Sequence, residues 1–265
     1  MKSKGETIYR CRFRSLYNSD MKSCSVIVPV FNEEQTIIEA LHRLHRVALS
    51  YPLEIVVVES NSIDSTRQLL VDFSQSHPIK LVLQPVARGK GNAVIEGLKH
   101  STGEILAIVD GDLEYDANDL LLLLKPINEG KATFVLGNRH VKGQPMRMFP
   151  GHPLRSLYFN VGHEIFTGFF NLLYGTRLKD PATMWKVFLR SQIRNYRFTG
   201  QRFEFDWEVM ATLAKRKAQI LEIPISYQSR GKEDGKKIRA IRDPLLWLYW
   251  IVVYRFRRLE AVETK

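Results

Sequence analysis

Gly103-Glu104-Ile105-Leu106-Ala107-Ile108-Val109-Asp110-Gly111-Asp112-Leu113 joins an apolar run of strand character to two carboxylates separated by one glycine. Residues i and i+2 of an extended segment project from the same face, so Asp110 and Asp112 are expected to reach one point beyond the strand end. Gly111 between them lets a ligand approach the backbone. Hard carboxylate oxygens suit Mg²⁺ or Mn²⁺, ions that take their remaining ligands from water and substrate phosphates, so the pair points to chemistry on a nucleotide diphosphate. A polar turn after a strand is the alternative reading of the same residues.

Working outward, apolar runs and helical segments alternate. Ser25–Val30 reads as a buried strand, and Asn32 as the N-cap of a helix with Glu33 and Glu34 in its first turn, running to about Val47. Glu54–Val58 is a second strand, Ser62–Thr66 opens a helix towards Phe73, and Ile79–Leu83 is a third strand. Gly89-Lys90-Gly91-Asn92-Ala93 leads into a helix ending near His100, and the Asp110/Asp112 strand follows. A helix over Asp119–Ile127 and a strand over Ala132–Leu136 complete this half; a further strand is predicted over Ile220–Tyr227. Alternation of this kind implies right-handed crossovers and a doubly wound, mostly parallel α/β sheet with flanking helices. Ligands of such sheets lie beyond the carboxyl ends of the strands, where Asn32, Glu59, Asn61, Asp64 and Asp112 fall.

Composition bounds the function. The 265 residues are 45% hydrophobic, enough for an ordinary globular core, and the net charge is +11. Acids slightly outnumber bases in residues 1–135, so the whole positive excess falls in residues 136–265. Such a surface attracts nucleic acid, anionic headgroups or phosphorylated substrates, and charge alone does not choose among them. No nucleic-acid-binding motif appears, and that class would leave Asp110 and Asp112 without a purpose. Cys11 and Cys24 have neither metal spacing nor a disulfide framework, which predicts a reducing cytoplasm. Residues 1–22 lack the apolar core of a signal peptide and read as a mobile arm or a short added element. The longest apolar run, Leu245–Tyr254, is about half of the roughly 20 residues that span a bilayer.

The succession Val28-Pro29-Val30-Phe31-Asn32-Glu33, Val57-Val58-Glu59-Ser60-Asn61-Ser62-Ile63-Asp64-Ser65-Thr66, Arg88-Gly89-Lys90-Gly91-Asn92-Ala93 and Asp110-Gly111-Asp112 resembles the family 2 glycosyltransferases of the GT-A (Rossmann-like) fold. Gly137-Asn138-Arg139, Lys179-Asp180-Pro181-Ala182-Thr183 and Phe203-Glu204-Phe205-Asp206 are similar to patterns in its polyprenyl- or dolichol-phosphate mannose synthase branch. The likeness runs from about Ser25 to Arg242. It implies a transferase domain over 23–242, with a nucleotide-binding half (23–136) and an acceptor half (137–242), followed by an aromatic and basic amphipathic helix over 243–265.

The resemblance implies that Pro29, Phe31, Asn32 and Glu33 contact the nucleoside, and that Glu59, Asn61 and Asp64 belong to the same donor site. The family usually reads Asp-Asp-Gly-Ser where this chain has Glu59-Ser60-Asn61-Ser62, so Ser60 stands in place of a base-reading Asp and leaves the nucleotide open. Lys90, between two glycines before a helix, is expected to meet phosphate oxygens, with Asp110, Gly111 and the metal held by Asp110 and Asp112. The departing diphosphate is thereby neutralised, and the anomeric carbon takes on oxocarbenium character that a carboxylate near the ring stabilises. Asp180 and Asp206 are the candidates, with Arg139 beside them. Glu204, Asp206 and Glu208 share a face if the segment is extended, and form a polar N-terminus if it starts a helix. Arg230 and Lys236, in the basic loop Ser229–Arg239, are candidate phosphate contacts.

A hydroxyl acceptor needs a general base, whereas a polyprenyl phosphate arrives anionic and needs cations to hold it. The second half supplies cations. Leu154–Tyr174 and Pro244–Arg258 combine helical apolar spacing with Trp, Tyr and flanking bases, as interfacial helices do, which predicts peripheral binding to an anionic bilayer from the cytoplasmic side. Packing within the domain or a homodimer contact is the alternative use of these faces. The reading is therefore inverting, metal-dependent hexose transfer from a nucleotide diphosphate sugar (GDP-mannose or UDP-hexose) to polyprenyl phosphate, with a soluble hydroxyl acceptor as the rival. Sugar-phosphate nucleotidyltransferases are set aside because their glycine-rich loop after the first strand is absent.

Overall fold

The computed structural model describes residues 21–140, 146, 151–228 and 242–259. In chain order the elements are β1 (Cys24–Val30), α1 (Ile37–Ala48), β2 (Leu53–Glu59), α2 (Thr66–Ser76), β3 (Lys80–Leu83), α3 (Lys90–His100) and β4 (Ile105–Ile108). There follow α4 (Asp119–Asn128), β5 (Phe134–Asn138), α5 (Pro153–Tyr174), β6 (Lys186–Leu189), a 3-10 turn (Arg190–Ile193), α6 (Glu204–Lys215), β7 (Ile220–Pro224) and α7 (Arg242–Phe256). Among the described residues the strands form one seven-stranded sheet in the order β3-β2-β1-β4-β6-β5-β7. All pairings are parallel except those of β6, which runs antiparallel between β4 and β5.

The central strands are apolar throughout because both sheet faces are covered. Val26, Val28 and Val30 of β1 face α1, α2 and α4 through Leu41, Leu70 and Leu123, whereas Ile27 faces the opposite layer of Val94, Phe170 and Met210 from α3, α5 and α6. The doubly wound, mostly parallel α/β sheet with flanking helices expected from the sequence is present. The division expected after Leu136 falls inside β5, which pairs with both β6 and β7, so one sheet runs through both halves.

Three local expectations change. Asn32 does not cap a helix: α1 starts at Ile37, and Asn32 takes a left-handed φ of 52° in the loop before it. β4 ends at Ile108, so Asp110 and Asp112 lie in the following turn and not on an extended strand. β7 stops at Pro224, and Tyr227 instead bridges Tyr115 in isolation. The segment Glu204–Asp206–Glu208 resolves as a helix start. Glu204 accepts hydrogen bonds from the N–H groups of Gln201 and Arg202, satisfying donors ahead of the helix, and Glu208 is buried under the Thr199–Gly200 turn.

Candidate active site

The sheet order reverses between β1 and β4, and in doubly wound sheets such a switch opens a crevice at the carboxyl ends of the strands. A cavity of about 890 Å³ lies there. Pro29, Phe31, Glu33, Ser60, Lys90, Asp110, Gly111, Asp112, Arg139 and Asp206 line it, bringing together much of the set expected from the sequence.

Its charged centre is built by α3, the turn after β4 and α6. Lys90 Nζ lies 2.5 Å from Asp110 Oδ1, with both side chains more than four-fifths enclosed. Burial disfavours the Lys90 ammonium, but Asp110, Asp206 and Asp112 outweigh it and hold its pKa above that of a free lysine. Asp112 Oδ1 accepts the N–H of Glu114, which folds the turn back into the cavity. Asp206 Oδ1 is buried without a hydrogen-bond partner and lies 3.6 Å from the Nζ of Lys186. Lys186 is fully buried and donates to the carbonyl of Thr183. Burial pushes the Asp206 carboxyl up against the opposing pull of Lys186 and Lys90, and pushes the Lys186 ammonium down. Lys186 was not singled out in the sequence; a lysine opening the four-residue strand β6 gives no local sign that it is buried opposite an acid.

Glycine spacing here serves packing. A Cβ on Gly91 would stand 2.6 Å from the Cβ of Phe205, so α3 carries Lys90 into the site only by lying against the start of α6. A Cβ on Gly111 would meet Ile37 Cδ1 at 2.8 Å, so this glycine, which lines the cavity, also lets the turn pack on α1.

The loops after β1 and β2 are knitted together by several residues expected to touch the donor. Asn32 donates its N–H to Ser62 Oγ (2.9 Å) and accepts the N–H of Ile63 on Oδ1 (3.0 Å). Glu33 donates its N–H to Thr66 Oγ1, and Asp64 accepts the N–H groups of Thr66 and Glu34. The Glu59 carboxylate is fully buried, accepting the Ser62 N–H and pairing with Arg67 Nε at 2.5 Å. Asn61 adopts φ 56°, which Asn tolerates better than most residues. Asn32, Glu59, Asn61 and Asp64 do not line the cavity; they fix the rim from which Phe31, Glu33 and Ser60 face it.

Asp180 is likewise structural. Arg139 grips it with Nε and Nη2 at 2.8 Å each, its own N–H adds a third bond at 3.1 Å, and Asp180 is wholly buried and off the cavity. Burial opposes its charge, but Arg139 holds the Asp180 carboxyl well below the usual carboxylate range. The expected sugar-facing role of Asp180 is therefore replaced by orientation of Arg139, whose guanidinium lies 5.2 Å from the Tyr227 ring centroid. Tyr227 in turn donates its hydroxyl to Glu114 (3.1 Å). Arg230 and Lys236 lie outside the described residues.

The residues present fit a divalent ion: Asp110 and Asp112 offer hard oxygen donors in one cavity beside a cation that would share a bound diphosphate. Among the described residues, the grouping of three His, Cys, Asp or Glu side chains close enough to share an ion is elsewhere, at His140, His163 and Glu164.

Comparison with known proteins matches the model of glycosyl transferase family 2 over residues 25–197. The chain belongs to that family. This glycosyltransferase is 24% identical over 237 residues to a dolichol-phosphate mannosyltransferase of Pyrococcus furiosus, covering 89% of the chain but 64% of that relative, less than two thirds of its length. It is 28% identical over 275 residues to the dolichyl-phosphate beta-glucosyltransferase ALG5C of Trichomonas vaginalis, covering 96% of the chain and 77% of the relative. Among solved structures, glucosyl-3-phosphoglycerate synthase from Mycobacterium tuberculosis in complex with Mn²⁺, UDP and phosphoglyceric acid superposes with a TM-score of 0.65 at 16% identity, over 89% of this chain and 80% of that one. Mannosyl-3-phosphoglycerate synthase from Rubrobacter xylanophilus superposes with a TM-score of 0.62 at 20% identity, over 90% and 74%. These structures share the fold of the glycosyltransferase.

Proposed function

We propose that this glycosyltransferase moves a hexose from a nucleotide diphosphate sugar to polyprenyl phosphate at an anionic membrane surface, with inversion at the anomeric carbon. One observation carries the acceptor reading: the cavity that holds Lys90, Asp110, Asp112 and Asp206 is also lined by Tyr158, Val161 and Ile165 of α5 and by Leu245, Trp247 and Leu248 of α7. A phosphate at the charged end and a hydrocarbon chain along the helical wall would each meet matching chemistry. The Pyrococcus and Trichomonas relatives, named for dolichol-phosphate glycosyl transfer, support the same class.

In this reading the bond from the anomeric carbon to the donor phosphate breaks and a bond to an acceptor phosphate oxygen forms from the opposite face. The nucleoside diphosphate departs with the electron pair. Asp110 and Asp112 would hold Mg²⁺ or Mn²⁺, which when bound neutralises charge on the diphosphate. Lys90, at the N-terminus of α3, shares that task. Asp206 would face the positive charge that develops on the sugar, and Arg139, oriented by Asp180, lines the same cavity as a cation for an anionic acceptor. A phosphate acceptor arrives anionic and needs no deprotonation, whereas a hydroxyl acceptor would need a general base such as Asp206.

The test is transfer of labelled hexose from nucleotide sugars to polyprenyl phosphate in vesicles with Mn²⁺. Label partitioning into organic solvent, lost in Asp112→Asn while the unfolding midpoint is kept, is the expected result. Label that stays in the aqueous phase on an added sugar acceptor would replace the lipid with a soluble acceptor, and full activity in Asp112→Asn would remove the metal role.

A further inference from the structure

The chain leaving β5 and the helix α5 meet through two histidines. His140 donates its N–H to Asn138 Oδ1, which bends the chain just past the strand, and its Nε2 lies 3.0 Å from Nε2 of His163, with ring centroids 4.9 Å apart. His163 is 6% exposed and lines the cavity, and Glu164, next to it on the helix, is exposed. The side-chain nitrogens of the two histidines and a carboxylate oxygen of Glu164 all lie within 4.8 Å of one another.

Lone pairs outnumber protons at this point. His163 Nε2 is also 3.2 Å from the Lys179 carbonyl, and one imidazole N–H cannot serve that carbonyl and His140 Nε2 equally. Two protonated Nε2 atoms would repel at 3.0 Å, so at least one ring turns a lone pair towards the other. Tetrahedral ligands about 2.1 Å from one Zn²⁺ stand about 3.4 Å apart, close to the spacing of these two nitrogens. Burial keeps the His163 imidazole neutral at pH 7, as a metal ligand must be. The charge of Arg139, which precedes His140 in the chain, is already matched by the buried Asp180.

We propose that His140, His163 and Glu164 bind Zn²⁺, forming a metal site separate from Asp110 and Asp112 that clamps the chain after β5 to α5. Two imidazoles favour Zn²⁺ over Mg²⁺, whereas the oxygen-only pair Asp110 and Asp112 suits the harder ion. Three protein ligands leave a fourth position for water or an anion. Because Arg139 and His163 both line the cavity, a bound ion would hold two of its lining residues in place, whichever sugar or acceptor is used.

Calorimetric titration of Zn²⁺, with Mg²⁺ in excess to occupy Asp110 and Asp112, tests this on the wild-type chain, His140→Ala, Glu164→Ala and Asp112→Asn. One Zn²⁺ per chain is expected to bind the wild type and Asp112→Asn alike, while His140→Ala and Glu164→Ala lose about tenfold or more in affinity. Co²⁺ should give the visible absorption of a tetrahedral site with the wild type but not with His140→Ala, and Zn²⁺ should raise the melting temperature of the first and not the second. Glu164 is exposed, so its variant keeps the test decisive should His140→Ala lower the metal-free unfolding midpoint. Absence of saturable Zn²⁺ binding would overturn the inference. So would Zn²⁺ held with wild-type affinity by His140→Ala or Glu164→Ala, which would place the ion at other side chains, or Zn²⁺ lost in Asp112→Asn, which would place it at the carboxylate pair.

Discussion

The Arg139–Asp180 pair, with His163 beside it, is where single side chains decide stability. Removing the cation leaves a carboxylate buried with no matching charge, so Arg139→Met is expected to cost about 3–5 kcal/mol at pH 7. The pH dependence gives the sign. In the wild type the folded pKa of Asp180 lies below its unfolded value, so its contribution is full above roughly pH 4 and is lost as pH falls. In Arg139→Met the buried acid is instead held up, so the gap between the two proteins should shrink between pH 7 and 4; urea midpoints at both values decide it, and a constant gap would argue against an ionised Asp180. His163, 3.8 Å from Asp180 Oδ1, is held down to about 4 by burial, with Arg139 adding to that and Asp180 opposing it. The unfolded chain therefore takes up this proton first, and stability should fall from about pH 6.5 towards 4. His163→Asn should remove on the order of 1–3 kcal/mol of that fall, read as a flatter plot of urea midpoint against pH.

At the level of elements, α3 and α6 must touch for Lys90 and Asp206 to share a site, and Gly91 is the contact point. Gly91→Ala should cost about 1–3 kcal/mol by overpacking and weaken nucleotide binding, because relief requires α3 to move away from Phe205. A normal nucleotide affinity at reduced stability would show that Lys90 does not depend on this contact. The helices α5 and α7, read from sequence as interfacial with packing in the domain as the alternative, have residues of both kinds. Phe166, Phe170, Ile251 and Tyr254 turn inward, and Phe166 packs 5.7 Å from Trp247. Outward lies a mainly aliphatic stripe, with Leu154 80%, Leu157 59%, Leu245 64% and Phe256 76% exposed. No helix among the described residues is long and apolar enough to cross a membrane; adsorption of the exposed stripe to an anionic surface is part of the proposed function, and it is testable. Leu154→Glu combined with Leu157→Glu should reduce sedimentation with anionic vesicles about tenfold while sparing nucleotide binding, since neither residue lines the cavity. Recovery of the wild type only in the supernatant at low salt would leave the stripe for another copy of the chain. Positions such as 154 and 157 were readable from periodicity, but the inward half of each helix was not, because period 3.6 does not say which face meets α6.

Across the whole molecule, what sequence made legible was whatever is local. Continuous apolar runs announced β1, β2 and β4 because strands covered on both faces need no polar alternation. The antiparallel insertion of β6 was hidden, since four residues pair with strands some 50 and 80 positions earlier, and so was Asp180 gripping Arg139 from 41 residues away. The convergence of Asp110, Asp112 and Lys90 on one cavity was legible because the turn and helix start that carry them are written in adjacent residues, whereas the loop that engages Glu59 and Asp64 was not. The site is thus shared by segments from α3, the β4 turn, β5 and α6, and a ligand that bridges them must stabilise the fold as one unit. With a nucleoside diphosphate, GDP or UDP, and Mn²⁺ at about 100 times Kd, linkage adds about 2.7 kcal/mol, which for a chain of this size raises the melting temperature by about 5–10 °C. Thermal unfolding followed by circular dichroism should show that rise with both ligands, and neither with EDTA nor in Asp112→Asn. An equal rise in EDTA would mean that the diphosphate is held by Lys90 and backbone N–H groups alone, and the carboxylate pair would lose its place in donor binding.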